Sequence, residues 1–246
     1  SYSSQERDSD RCKIANMDPR SPFELEYPPT KQGLNVWHWD MKSEGVTCVE
    51  GVAMFAGFDG PGVAPGDYKV RVSIEGEEQT VPVTLIVDPR MSASKEEIGF
   101  WSARLEEVTS LLDDVLTSLD GLRRAQKQIE ALMADYSGDA RLQWVGTEAI
   151  RHIEAWDAEI NQVLHQTYED EDAWETKLAG QIRFLLDVID RTGAPVTEGA
   201  LQRLADLESE WQLRKSELQN IRANDIEAIN QWARDKGVPH VSTPEE

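Results

Sequence analysis

A regular pattern of apolar residues runs through residues 94–136, which read SKEEIGFWSARLEEVTSLLDDVLTSLDGLRRAQKQIEALMADY. The apolar side chains recur at alternating intervals of three and four residues, the spacing of a helix that buries one face. Ser94 and Glu97 match a capping box, in which two side chains accept free backbone N–H groups at a helix start. We therefore expect one long helix here. Its stripe consists of Ile98, Trp101, Leu105, Val108, Leu112, Val115, Leu119, Leu122, Gln126, Ile129 and Met133.

The residues that follow predict three more helices, at about 139–167, 172–191 and 197–236. Thr197 has the residue type of a helix N-cap, and glycine and proline follow the third and fourth helices. Short connections between helices favour antiparallel neighbours. We therefore expect residues 92–246 to form an antiparallel up-down bundle of three to four long helices.

Several large or charged residues stand out on the helical stripes. Trp101, Trp156 and Trp211 are expected to anchor the bundle by packing. Arg214 and Asp225 fall on the otherwise apolar stripe of the fourth helix. They either pair with each other's neighbours or mark the point where the helix leaves the bundle.

The first part of the chain has the alternation of β-strands. Apolar and polar residues alternate in 68–74 and again in 81–87, with a turn at 75–77. This pattern predicts a β-hairpin with one buried face. Pro82 cannot donate to a ladder, so its strand is expected at a sheet edge, or with that position facing away. Residues 36–41 predict another strand.

Antiparallel strands with turn-rich links favour a sandwich. We therefore expect residues 1–91 to form an Ig-like or fibronectin-III-like antiparallel β-sandwich. This part holds 8 of the 11 prolines. With the bundle after it, the chain is predicted to be an α+β protein with a domain boundary near residue 91.

Neither the cysteines nor the histidines form a recognisable reactive site. For Cys12 and Cys48, one disulfide and two unpaired thiols both remain open, because spacing alone does not fix geometry. There is no CxxC pair with nearby histidines, so we do not expect zinc. The sequence has no HExxH, no GxSxG and no glycine-rich phosphate loop. We identify no catalytic, cofactor-binding or metal-binding residue.

The acidic run EDED at residues 169–172 has two interpretations. Hard cations bind several carboxylates together. Acidic residues are equally typical of a solvated helix N-terminus, where they interact favourably with the helix dipole. The run lacks the alternating ligands and the glycine of a calcium loop, so the second interpretation is favoured.

Trp37 and Trp39 are two residues apart, so they face the same side of an extended chain. One interpretation is an aromatic platform for a sugar ring, and the other is a core face of the sandwich. We expect Trp39 to belong to the core. Trp37 remains a candidate glycan platform.

The charge of the chain excludes some classes of partner. The formal net charge is −21 and the sequence pI is about 4.5. Nucleic acids and anionic membranes both require a basic surface, so neither is expected as a partner. The longest stretch without a charged residue is too short to span a membrane. Residues 92–246 carry −15 of the charge, which indicates a solvated bundle exterior.

An ordered set of motifs resembles a known family. The motifs are GLNVWHWDMK at 33–42, APGDYKVRV at 64–72 and VDPR at 87–90, followed by the long heptad helix. This order resembles the C-terminal region of bacterial secreted proteins with a sortilin-like (VPS10-like, BNR-repeat) β-propeller, often named glycosyl hydrolases. Val36, Trp37 and His38 depart from the family pattern.

In the sandwich, the residues expected to matter structurally are Trp39, Asp40, Pro65, Gly66 and Tyr68. The family usually has one or two more strands and a large propeller before these motifs. The resemblance therefore implies a sandwich that is incomplete, or that a separate propeller-containing piece completes. Any hydrolytic site would lie in that propeller, so no catalytic residue carries over.

The resemblance implies a non-catalytic structural or interaction module that braces or docks the propeller of a secreted, periplasmic or cell-surface bacterial protein. The chain begins at Ser1 without an initiator methionine, which we interpret as a processed product or a piece of a longer protein. Three alternatives remain. They are part of a glycoside-hydrolase-like enzyme, a carbohydrate-binding module that uses Trp37, and a homo-oligomer assembled through the heptad face or an open sheet edge.

Overall fold

The described part of the chain combines a small antiparallel sheet with four helices. A computed structural model describes residues 2–6, 10, 12, 13, 16, 26–52, 54, 57–90, 92–165, 170 and 173–243. The strands are β1 (Gly66–Ile74) and β2 (Glu77–Leu85). The helices are α1 (Lys95–Asp135), α2 (Ala140–Ile160), α3 (Leu178–Thr192), and a fourth made of α4 (Glu198–Asn220), a π-turn (Ile221–Ile226) and α5 (Glu227–Lys236).

Side chains predicted from the sequence cap two of the helices. Ser94 accepts the backbone N–H of Glu97, and the Glu97 carboxylate accepts the N–H of Ser94, which confirms the capping box of α1. Thr197 caps α4 by accepting the N–H of Ala200. Each cap satisfies a donor that has no partner within its own helix.

The apolar stripe of α1 lies in the core. Val108, Leu112 and Val115 have no solvent exposure, and the core continues to the end of the helix. Near that end, Ala125 is fully buried while Gln126 is half-buried and bonds Glu130. The small residue therefore takes the core position that the spacing assigned to Gln126.

Contacts between helices show how they run. The amide of Gln143 donates to the carbonyl of Met133 near the turn, and Arg123 pairs with Asp157 further away. Since residues earlier in α1 meet residues later in α2, these two helices are antiparallel. The second and third helices are shorter than predicted.

Asn161 ends α2 well before the predicted residue 167. Its backbone is extended, and its buried side-chain amide donates to the carbonyl of Gly51 at 3.2 Å. This bond links the end of α2 to the N-terminal part of the chain. The third helix begins at Leu178 rather than near 172.

The π-turn changes the phase of the fourth helix. Trp211, Leu218 and Ile221 are buried at regular helical spacing, and an uninterrupted α-helix would place residue 225 next. The buried residues that follow are instead Ile226 and Ile229. A π-turn adds one residue to a helix, so Asp225 moves to the edge of the core and Ile226 enters it.

The described residues between 43 and 62 pack against the helices and share their core. The apolar side chains of this segment in that core are Val46, Val49, Val52, Met54 and Phe58. Backbone groups of the segment bind helix side chains. Thr47 donates its N–H to Asp113 at 2.6 Å, and Arg123 donates to the carbonyl of Glu50 at 2.7 Å. The division at residue 91 stays a prediction, but part of the first region is built into the helical core.

The described residues 34–41 do not form the predicted strand. They have no strand partners along a ladder, and Met41 has a φ of +59°, which lies outside the β region. An isolated bridge joins Lys42 to Gly62 just beyond. Within the described residues the sheet therefore has two strands, and the complete sandwich remains an expectation. None of the helices described combines the length and the apolar character needed to cross a bilayer.

Candidate functional site

The hairpin formed by β1 and β2 is the first candidate site. Its turn residues, Glu75 and Gly76, have φ angles of +51° and +89°. Positive φ at both central residues defines a type I′ turn, whose twist matches that of the flanking strands. Ile74 pairs with Glu77 across the turn, so Glu77 begins the second strand instead of belonging to the predicted turn at 75–77. The sequence therefore predicted the hairpin but not its register.

The turn also fixes which backbone groups point outwards. A two-residue turn makes Ile74 and Glu77 a hydrogen-bonded pair, and such pairs alternate with non-hydrogen-bonded ones along the strands. Lys69 and Pro82, five pairs further on, are therefore a non-hydrogen-bonded pair. The nitrogen of Pro82 faces away from β1. The ladder between the strands loses nothing, and the outer edge of β2 lacks one donor.

The outer edge of β1 has no such interruption. By the same alternation, the backbone N–H and C=O groups of Asp67, Lys69, Arg71 and Ser73 point away from β2. Within the described part of the chain, no hydrogen bond involves these outward groups. An edge of this kind is a template for another strand.

The apolar face of the hairpin is uncovered, contrary to the prediction of a buried face. Val70, Val72, Ile74 and Val81 are 40%, 50%, 66% and 49% exposed. No described residue packs against these four side chains closely enough to bury them. Alternation inside a strand predicts which face is apolar but not whether anything lies against it. The apolar residues of this face are Tyr68, Val70, Val72, Ile74, Val81, Val83 and Leu85, and towards the turn it also carries Gln79 opposite Val72 and Glu77 opposite Ile74.

The opposite face carries two cations with no acidic residue directly across the ladder; Glu78, across from Ser73, is diagonal to Arg71. Lys69 lies across from Pro82 and Arg71 across from Thr80, and both cations are exposed. No ion pair to either is found among the described residues. Asp67, further along the strand, accepts a hydrogen bond from Thr84 at 2.6 Å. Asp67 and Glu78 balance the charge of this face as a whole, but the two cations lie side by side in the middle of β1.

Aromatic contacts hold the base of the hairpin. The ring of Tyr68 meets the ring of Trp39 edge-on at 5.7 Å, and the Tyr68 hydroxyl donates to the carbonyl of Ala64. The Trp39 indole donates to the carbonyl of Lys42 at 3.3 Å. Pro65 directly precedes β1, and Gly66 begins it. These contacts attach the hairpin to the extended residues before it.

Trp37 lies against Tyr2 rather than standing free as a platform. It is half-buried, its ring centroid lies 5.6 Å from that of Tyr2, and the Tyr2 hydroxyl donates to Asp40. Burial raises the pKa of Tyr2, and the hydrogen bond to Asp40 raises it further. Asp40 also accepts the backbone N–H of Lys42. One side of the Trp37 ring is thus occupied by this aromatic contact.

A disulfide joins Cys12 to Cys48, with 6.0 Å between their Cα atoms. Asn16 reinforces the same region, because its amide donates to the carbonyl of Val49 and accepts the N–H of Gly51. Cys48 also packs against the hydrophobic core. The disulfide therefore ties an N-terminal position to the segment that joins the helical core.

A polar cleft of 620 Å³ between α2 and the π-turn is the second candidate site. Arg214 binds Glu159 at 2.8 Å and Glu217 at 3.0 Å, and Nδ1 of His152 lies 3.0 Å from Asp225. The charged groups therefore partner one another. The sequence signalled this cleft through Arg214 and Asp225 on the apolar stripe, but it did not identify His152 as a partner.

The tryptophans predicted to anchor the bundle pack and form hydrogen bonds within it. Trp156 and Trp211 are buried, and their indoles donate to the carbonyl of Arg214 and to Asp114, both at 2.8 Å. Trp101 is half-buried and donates to the carbonyl of Ile189. Apart from Asp170, the acidic run at 169–172 lies outside the described residues. Within the described ranges, no group of three or more His, Cys, Asp or Glu side chains could hold a metal ion.

Comparison with protein-family models, with curated proteins and with solved structures finds no match for this chain.

Proposed function

We propose that this chain is a non-catalytic accessory module of a secreted, sortilin-like β-propeller protein, and that its hairpin docks on the propeller-containing part. The observation that carries the proposal is the uncovered apolar face of β1 and β2. The order of the motifs from residue 33 to residue 90 supports the choice of partner, because it resembles the region that follows such propellers.

The energetics of a hairpin support a docking role. An isolated two-stranded hairpin is marginally stable in water, and three or more strands or a packing surface are needed for independent stability. Burial of apolar surface contributes about 25 cal/mol per Å². Val72 and Ile74 are at least half exposed here, so this stabilisation is available to a partner. The helical part needs no such partner to bury its own core.

The disulfide between Cys12 and Cys48 supports an extracellular or periplasmic location. Disulfides form and persist in oxidising compartments, and they are rare in reducing ones. The strong negative charge, most of it on the helical part, is compatible with a protein kept soluble by repulsion.

The charged residues of the polar cleft support a structural role. Both carboxylates beside Arg214 bind its guanidinium, and the Asp225 carboxylate contacts His152. These contacts stabilise the packing of α2 against the fourth helix.

The native protein provides the test. An antibody against the helical part should isolate, from the source organism, either a polypeptide much larger than 27.7 kDa or this chain bound to a β-propeller polypeptide. Intact mass and N-terminal sequencing distinguish the two. A native 27.7 kDa protein that purifies without a propeller contradicts the proposal.

Matched variants test the role of the hairpin in docking. Val72→Glu places a charge on the apolar face and should abolish association with the propeller part. Ser73→Glu, one residue further on, places the same charge on the polar face and should preserve it. Equal association of the two variants would exclude the apolar face as the docking surface.

A further inference from the structure

We propose that the outer edge of β1 binds an extended segment of the partner by strand addition, and that this segment alternates apolar residues with acidic ones. The inference rests on the proposed function in taking that segment to belong to the propeller-containing part. It goes further by assigning the docking to one edge of the hairpin and by specifying the chemistry of the incoming strand.

Backbone geometry selects β1 over β2. Strand addition requires a row of free N–H and C=O groups on an exposed edge. The outer edge of β1 presents the groups of four alternate residues, from Asp67 to Ser73. On the outer edge of β2, Pro82 removes one of the corresponding donors, and proline is a common means of blocking an edge.

Charge defines the polar side of the incoming strand. Lys69 and Arg71 are two residues apart on the same face, and the residues directly across from them on β2, Pro82 and Thr80, are uncharged; Glu78 is diagonal to Arg71 on the side away from the outer edge. An added strand would bring a residue directly opposite each cation. Opposite charges in such cross-strand pairs are stabilising, and like charges are destabilising. Acidic residues two positions apart on the partner strand therefore complement this edge.

The other face of the added strand must match the apolar face of the hairpin. The residue between the two acidic positions would lie beside Val70, and the residue just beyond the one opposite Arg71 would lie beside Val72, because side chains alternate between the two faces. Apolar residues there would extend the apolar face from two strands to three. A hydrophobic face of three strands is the minimum that is commonly stable.

A second copy of this chain fits the same edge poorly. In the antiparallel pairing of two β1 edges that uses all four outward residues, Lys69 of one copy would face Arg71 of the other, and Arg71 would face Lys69. Two like-charge pairs would then oppose the backbone bonds. The edge therefore selects an acidic partner strand over self-association.

A synthetic peptide tests the inference directly. The probe is TVEVEVT, blocked at both ends and labelled through a Gly-Ser linker, and it is titrated into the full chain by fluorescence anisotropy. We expect binding, with amide chemical-shift changes centred on Lys69 and Arg71. The charge-reversed peptide TVKVKVT should bind about 10-fold more weakly. N-methylation of the two Glu amides, which removes donors on the pairing edge, should abolish binding.

A matched pair of chain variants tests the choice of edge. Arg71→Pro removes one outward N–H from β1, and Thr80→Pro does the same on β2, directly across the ladder. Only the first should abolish peptide binding. A second β1 variant, Arg71→Thr, keeps the backbone donor and should weaken binding about 3-fold. Amide spectra of each variant check that the hairpin is retained.

The outcomes separate this inference from the proposed function. If TVEVEVT fails to bind, or binds the Arg71→Pro and Thr80→Pro variants equally, the β1 edge is not the strand-binding site. The isolation of a native propeller complex would still support the docking role. If the peptide binds as expected but the native protein has no propeller, the strand-addition site stands and the proposed partner is wrong.

Discussion

The Asp225 carboxylate lies 3.0 Å from Nδ1 of His152 because the π-turn displaces Asp225 from the apolar stripe of the fourth helix. In an unbroken α-helix, residue 225 would follow Leu218 and Ile221 into the core. The additional residue in the turn instead directs Ile226 inwards. A charged residue on an apolar stripe is thus accommodated by a local change in helix type.

Deletion of Asn224 should convert the π-turn to regular α-helix without unfolding the bundle. Asn224 is exposed, and its removal leaves Ile226 and Ile229 at the spacing that continues from Ile221. Circular dichroism should show an unfolding midpoint that is unchanged or higher. Deletion of the exposed Gln212, in regular α-helix, rotates everything after it by about 100° and should strongly lower the midpoint. Similar losses in both deletions would contradict this account of the turn.

Replacement of Glu75 by asparagine should stabilise the hairpin. Glu75 has a φ of +51°, a region that asparagine adopts more readily than most residues with a side chain. The gain should be about 1 kcal/mol or less. Amide hydrogen exchange at Val70 and Val81, which form a hydrogen-bonded pair, measures it locally. Glu75→Val should accelerate exchange at the same two amides, and slower exchange there would refute the turn assignment.

Replacement of Gly60 by alanine should destabilise the protein by about 1–3 kcal/mol. A Cβ atom at this position would lie 2.3 Å from the carbonyl oxygen of Glu44 and 2.5 Å from that of Ser43. Both contacts are with backbone, which has little freedom to move aside. Urea denaturation followed by tryptophan fluorescence measures the free energy of unfolding. Gly99→Ala provides the control, because this helical glycine has open space around it. Alanine there should stabilise the protein by about 0.5–1 kcal/mol.

The N-cap of α2 should make stability depend on acid pH. The hydrogen bond from Lys236 lowers the pKa of Asp139 to about 2, with help from the N–H of Leu142, against an ordinary value of 3.8. A carboxyl whose pKa is lower in the folded protein stabilises it above the ordinary value, and this contribution is lost as the pH falls through 2.

Asp139→Asn should therefore lower the unfolding midpoint by about 2–4 °C at pH 7. The difference from the unmodified protein should shrink between pH 4 and pH 2. Thermal scans across this range provide the measurement. Asp135→Asn, at the exposed end of α1, controls for the loss of one negative charge. If the difference in unfolding midpoint between Asp139→Asn and the unmodified protein grows towards pH 2, the lowered pKa of Asp139 is not its cause.

Much of the local structure followed from the order of residues alone. The capping box at Ser94, the cap at Thr197 and the hairpin that turns at Gly76 each depend on residues close together in the chain. The contact between His152 and Asp225 could not be predicted in the same way, because it joins two helices and depends on a π-turn. For the hairpin, the sequence identified the apolar face but not its exposure.

The sequence by itself determined the four helices and the hairpin, and which side of each is apolar, since spacing, caps and turn residues act over a few positions. Only the tertiary structure decided what lies against those sides. It placed apolar side chains such as Val49 and Phe58 in the helical core and left the face around Val72 uncovered. The physical reason is that apolar burial is non-directional. An apolar stripe is stabilised by burial, but its sequence does not specify which distant segment, or which partner, packs against it.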